Sequence, residues 1–188
     1  MFRKLFSIMA IFATLTSTQA LADDYSDTVA NFKSAPETAQ MFSTARAYAV
    51  FPTIGKGGIG IGGAHGKGRV FVNGQSIGET KMSQLSIGLQ LGGQAYSQII
   101  FFENQAALDN FTSGNFEFSA GASAIAITAS AQAQAGTSGS SANAGSSSEN
   151  SNQAGITYNN GMAVVTMGKG GLMYEVSIAG QKYSFKAK

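Results

Sequence analysis
The stretch Ile54-Gly55-Lys56-Gly57-Gly58-Ile59-Gly60-Ile61-Gly62-Gly63-Ala64-His65-Gly66-Lys67-Gly68-Arg69 holds eight of the 24 glycines in the chain. Ile59 and Ile61 alternate with Gly58, Gly60 and Gly62, and a period of two marks a half-buried strand, because successive side chains leave a strand on opposite faces. Glycine at alternate positions lets a second backbone or an aromatic ring lie flat against such a strand. The same residues carry most of the local positive charge. Lys56, His65, Lys67 and Arg69, with exposed glycine N–H groups nearby, form a candidate site for lipid phosphate or another anion. Close sheet packing and anion binding both stand as readings of this stretch. Gly58-x-Gly60-x-x-Gly63 satisfies a dinucleotide fingerprint only formally, since Ala64 to Arg69, with Gly66 and Gly68, will not start the helix such a site needs. A P-loop also fails, because Lys67 is followed by Gly68 and Ile61 stands five residues before Gly66.

Outward from this stretch, helices precede it and strands follow. Ser26 is the expected N-cap of a short helix with Val29 and Phe32 on one face. Ser34-Ala35-Pro36-Glu37 has the S-x-x-E capping-box spacing, with Pro in the first turn. From there Met41, Phe42 and Ala45 give an apolar stripe on a helix running to about Arg46. Downstream, Leu85, Ile87, Leu89 and Leu91 alternate with Ser86, Gly88, Gln90 and Gly92, and Leu172, Tyr174, Val176 and Ile178 repeat the pattern. Tyr183 and Phe185 suggest a last short strand. The run Ile99-Ile100-Phe101-Phe102 is apolar on both faces and reads as a central strand, covered by sheet or loop on one side and by a helix on the other. One helix interrupts the strands, with Asn104 as N-cap, Leu108 and Phe111 as its buried face and Gly114 as terminator. The expected fold is α+β: a single domain with a curved antiparallel sheet, partly barrel-like, N-terminal helices and one internal helix.

The chain has 188 residues, no Cys and no Trp, and 12 Lys and Arg against 10 Asp and Glu. One domain is natural at this length, and disulfides, thiolate metal sites and a catalytic Cys are excluded. Residues 1–22 read as a signal peptide: Arg3 and Lys4, an apolar run over 5–15 that is too short to cross a bilayer, and Ala20-Leu21-Ala22 as the cleavage pattern. Cleavage after Ala22 leaves a formally neutral domain over 23–188, so any anion binding must be local. Residues 136–155 are Gly, Ser, Ala, Thr, Asn and Gln with a single charge, Glu149, and are expected to form a flexible loop. A linker between two domains is the competing reading, but the roughly 33 residues that follow are too few for an independent core.

The order of several motifs resembles the SYLF domain, a lipid-binding module found in bacteria, yeast, plants and animals. Ala47-Tyr48-Ala49-Val50-Phe51-Pro52 precedes Ile54-Gly55-Lys56-Gly57-Gly58 and Gly62-Gly63-Ala64-His65-Gly66-Lys67-Gly68. Next come Gly88-Leu89-Gln90-Leu91-Gly92-Gly93-Gln94, the apolar run 99–102, Asn104 to Phe111 with Gly114, and Lys169-Gly170-Gly171-Leu172 before Val176-Ser177. The similarity spans about 35–185. It implies phosphoinositide or anionic-lipid binding and, for the yeast members, actin binding and bundling. It implies no catalysis. In eukaryotic members lipid binding is associated with a basic N-terminal amphipathic helix, whereas residues 23–33 here carry Asp23, Asp24 and Asp27 against Lys33, a charge that an anionic bilayer repels.

Enzyme readings find little to build on. His65 is the single His, so a multi-imidazole zinc site is impossible, and a histidine among glycines reads as a mobile loop residue before it reads as a catalytic one. The carboxylates are scattered. The expectation is therefore a non-enzymatic module without cofactor or metal, exported to the periplasm or outside the cell. Its partner is an anionic membrane surface, or alternatively an envelope protein, and not nucleic acid. A small outer-membrane β-barrel is the third class, permitted by export and alternating strands and opposed by the helices and the Lys186-Ala187-Lys188 end.

Overall fold
A computed structural model describes residues 19–59, 61–87, 93–119, 122, 125–127, 156–169 and 177–188. The expected loop 136–155, residues 1–18 of the expected leader, and the alternating positions Leu89, Leu91, Leu172, Tyr174 and Val176 lie outside the described residues. The N-terminal helices are α1 (Gln19–Ser34), α2 (Pro36–Ala39) and α3 (Met41–Thr44), and α4 (Gln105–Thr112) follows the fourth strand. The strands are β1 (Ala47–Ile59), β2 (Ile61–Val72), β3 (Gln75–Ile87), β4 (Gln94–Phe102), β5 (Phe116–Glu117), β6 (Ile125–Ile127), β7 (Met162–Lys169) and β8 (Lys182–Ala187). They form one sheet in the order β5-β8-β3-β2-β1-β4-β7-β6. Every pairing is antiparallel except that of β6 with β7, and the sheet curls into a half-barrel within a single α+β domain. Residues on both sides of 136–155 thus return to one sheet.

The two faces carry separate cores. The inner face holds Phe51, Ile54, Val70, Met82, Tyr96, Ile100, Phe102, Val164 and Tyr183, with Leu108 and Phe111 of α4 packed on it. The outer face holds Val50, Ile99, Phe101, Val165 and Met167 beneath Phe32, Ala35 and Met41 of the N-terminal segment. Ile99 to Phe102 alternate between these cores, and all four are fully buried. This is the central strand expected from their unbroken apolarity, with helices on both sides. Asn104 caps α4 as expected, its Oδ1 accepting from the Ala107 N–H at 3.0 Å. Gly114 ends that segment at φ 101, a left-handed conformation that glycine adopts without a Cβ penalty.

Four sequence expectations are corrected. Ser26 lies inside α1 and is not its N-cap, because the helix already starts at Gln19. The capping box is not formed: the N-cap of α2 is Ala35, without a side-chain bond, and the Ser34 hydroxyl donates instead to the Asn31 carbonyl at 2.7 Å. The single helix expected up to Arg46 is two short turns that meet at Gln40 and end at Thr44, because Ala45 turns to an extended backbone that leads into β1; the Thr38 hydroxyl ties the first turn back to the carbonyls of Phe32 and Ala35. Ile59 and Ile61 do not share a strand. They face each other as the last register pair of the β1–β2 hairpin, whose tightness depends on Gly58: a Cβ there would run into the Gly62 Cα and the Ile61 carbonyl.

Candidate anionic-surface site
Alternation along β2 sorts its residues by face. Ala64 and Val70 belong to the inner core, and Gly66 and Gly68 share their side of the strand, so His65, Lys67 and Arg69 project outward. Ladder partners share a face, which places Lys81 beside Lys67, Ser83 beside His65 and Glu79 beside Arg69. Beyond these, Lys182 is the partner of Ser83 on β8. On the other flank, Gly55 is paired with His65, Ala95 with Gly55 and Lys169 with Ala95. One outward row therefore runs Lys169, Ala95, Gly55, His65, Ser83, Lys182 across six strands, and the pair Lys67–Lys81 sits one row away.

Of the four residues expected to form the site, the structure brings His65, Lys67 and Arg69 to one face and places Lys56 on the other. Lys56 follows Ile54 on the inner side, opposite Ala64, so its ammonium belongs to a different surface. Arg69 has local partners: its guanidinium lies 4.5 Å from the Tyr25 ring centroid and 4.0 Å from Glu79 Oε1. It fastens α1 to the sheet. Burial pushes the Tyr25 hydroxyl above its ordinary pKa, with Arg69 opposing, which keeps that ring neutral under the cation. Lys182 pairs with Glu117 at 3.6 Å, and Lys169 Nζ donates to Thr53 Oγ1 at 2.8 Å. Lys67 and Lys81 have no ion-pair partner among the described residues. Like charges directly opposite across a ladder disfavour the pairing, and an anion bound between them would remove that cost.

Sequence reasoning missed Lys81, Lys169 and Lys182, which are distant in the chain and meet the cluster only through register. The reading of the glycines as close packing is met on the inner face. A Cβ on Gly68 would lie 2.7 Å from the Phe51 ring, so that ring occupies the space a side chain would need. Leu85 departs from its expected half-buried strand. It is 86% exposed and Ile61 is 73% exposed, both on the outward side at the hairpin end.

On the inner face polar side chains of β3, β4 and β8 join one buried network. Gln98 Nε2 donates to Gln181 Oε1 at 3.2 Å and to the Tyr183 hydroxyl oxygen at 2.7 Å, Tyr183 OH donates to Gln181 Oε1 at 2.5 Å, and Gln181 Nε2 donates to the Tyr96 oxygen at 3.2 Å. Gln84 Nε2 ties the same network to the carbonyls of Ser177 and Ala179. Gln98, Gln181, Tyr96 and Tyr183 are buried almost completely, so the network ties β4 to the start of β8 away from solvent. Among the described residues no group of three or more His, Asp or Glu could hold a metal ion, and no helix is long and apolar enough to cross a membrane.

Comparison with known families matches residues 83–188, more than half of the chain, to the family described as Ysc84, Las17-binding protein actin regulator. No curated protein matches the chain.

Proposed function
From the premise that this chain belongs to the Ysc84 (SYLF) family of binding modules, we infer that it is a non-enzymatic module that docks peripherally on an anionic phospholipid surface. The observation that carries this reading is the Lys67–Lys81 pair, register partners without a carboxylate, with His65 in the next outward row. Two lysines directly opposite each other on one face of the ladder concentrate positive charge there, and anion binding offsets their mutual repulsion. The signal-peptide pattern of residues 1–22 supports an exported protein, for which the anionic surface belongs to the cell envelope.

Vesicle flotation of the full chain tests this. The protein floats with anionic vesicles at low salt, floats less with zwitterionic ones, and loses binding as salt screens the surface. The double variant Lys67→Gln/Lys81→Gln removes about 1 kcal/mol per lysine, roughly a 30-fold fall in partition. Flotation that is absent, or indifferent to anionic content, refutes the proposal. The second reading, a protein partner, draws on the family description, which names a protein-binding actin regulator. It takes the lead if vesicles fail.

A further inference from the structure
We propose that the β1–β2 hairpin end, with the neighbouring end of β3, is an insertion tip that enters the acyl layer of the anionic membrane. The inference rests on the lipid-docking reading and assigns that docking a depth and an orientation. Ile61 and Leu85 are the two large apolar side chains left exposed among the described residues. They lie on the outward face, in adjacent rows of the β2–β3 ladder: Ile61 opposite Ile87, Gly63 opposite Leu85.

In the Leu85 row the neighbours across the ladders are glycines, Gly63 on β2 and Gly57 on β1. A Cβ on Gly57 would meet nothing within 4 Å, so Leu85 borders a glycine floor that a packed lipid surface could approach closely, and Ile61 lies one row nearer the tip. The cations are arranged behind them. From Leu85 back along β3 to Lys81 is four residues, ~14 Å at about 3.4 Å per residue. That length matches an apolar tip sunk roughly 5–10 Å below the headgroup boundary with ammonium groups at the level of the phosphates. His65 lies in the row between, and Lys169 and Lys182 flank it. Apolar tip, histidine row and lysine row therefore succeed one another in the order in which a bilayer presents hydrocarbon, headgroup and anionic surface. A protein partner would require the apolar pair to be matched by a complementary pocket, whereas this stratification requires only a lipid interface, so lipid is the occupant favoured.

The chain contains no Trp, so Leu85→Trp creates a unique fluorophore at the tip and Gln75→Trp one at the opposite end of β3. With vesicles of phosphatidylglycerol and phosphatidylcholine, the Leu85→Trp emission shifts to the blue and is quenched by brominated acyl chains, while the Gln75→Trp emission stays unchanged. Ile61→Asp and Leu85→Asp each lower vesicle partition by at least about tenfold, as expected for losing a buried aliphatic side chain, with an unaltered far-UV spectrum. If the wild type floats while the aspartate variants float equally well and the tip fluorophore is not quenched, the insertion tip is refuted and the electrostatic docking stands. If the wild type does not float on any anionic vesicle, the docking proposal falls first and the tip with it. Blue-shifted emission that rises with protein concentration in the absence of vesicles overturns the tip in favour of self-association of the hairpin ends.

Discussion

Replacing Gly68 with alanine tests whether the glycines of β2 are there for the inner core. Its Cβ would stand 2.7 Å from Phe51 Cδ1 and Cε1 and 2.7 Å from the Val50 carbonyl oxygen, against an ordinary contact of 3.4–4 Å. The ring cannot yield freely, since Phe51 is fully buried and meets the Tyr183 ring edge-on at 5.6 Å. The carbonyl cannot yield without moving β1. Overpacking of this kind costs about 1–3 kcal/mol, offset by about 0.4–1 kcal/mol from the lower entropy of the unfolded chain. The net loss is about 1–2 kcal/mol, or about 2–8 °C in melting temperature for a chain of this size. Gly57→Ala is the internal control: nothing lies within 4 Å of its Cβ, so only the entropic gain of about 0.4–1 kcal/mol remains. Urea titrations of both variants, compared at equal m-value, should separate them by about 2 kcal/mol. Equal stability of the two would refute the assignment of Gly68 to the close approach of Phe51.

The remaining predictions follow from single contacts. Tyr183→Phe removes the hydroxyl that bridges Gln98 and Gln181 and should cost about 1–3 kcal/mol by leaving buried amides unpartnered, read by chemical unfolding. Burial raises the Tyr183 and Tyr96 hydroxyls above the ordinary value of 10.0. The unfolded chain then loses protons first as pH climbs past 10, so stability is full below that pH and falls above it. A stability–pH profile should show the decline, and Tyr96→Phe should flatten it. Asn104→Ala removes the α4 cap and should cost about 1 kcal/mol, visible as a lower urea midpoint. Lys67→Glu should pair with Lys81 across the ladder and raise stability by about 0.2–1 kcal/mol while weakening vesicle flotation. A loss on both counts would mean that Lys67 has a structural partner.

How much the sequence disclosed depends on the range of the interaction that decided each feature. Ile99 to Phe102 announced a central strand because burial on two faces leaves no polar position, and Asn104, Leu108, Phe111 and Gly114 announced α4 because capping and helical spacing are local. The two hairpins were less visible. Asn73-Gly74, with φ of 50 and 77, is the turn between β2 and β3 and a strong short-range hairpin signal, yet a reading centred on glycine alternation passes over it. The same reading runs Ile59 and Ile61 into one strand, because alternation looks identical whether a chain continues or folds back at Gly58. β7 lacks alternation altogether, with Met162 to Met167 all buried, since both of its faces are covered. The cationic row was only partly legible. Lys67 and Arg69 could be placed on one face by counting, but their neighbours Lys81, Lys169 and Lys182 are set by ladder register across several strands, which no local pattern encodes. Leu85 shows the complementary error: alternation predicts a face and does not say whether anything covers it.

The Gln98–Gln181–Tyr183 network has a mechanical consequence. In the sheet order β8 and β4 are separated by β3, β2 and β1, so hydrogen bonds between Tyr183 or Gln181 and Gln98 or Tyr96 span the arc as a chord instead of following it. An open arc held only by its ladders could flatten or tighten by small changes of twist at each strand. With the chord in place, its span is fixed by a few short polar bonds shielded from water. One end of the chord lies at Gln181 and Tyr183, at the start of β8, so the curvature of the arc depends on residues 181–183. The spacing of the lysines on the opposite side then becomes a property of the C-terminal strand, although only Lys182 among those flanking the site belongs to it.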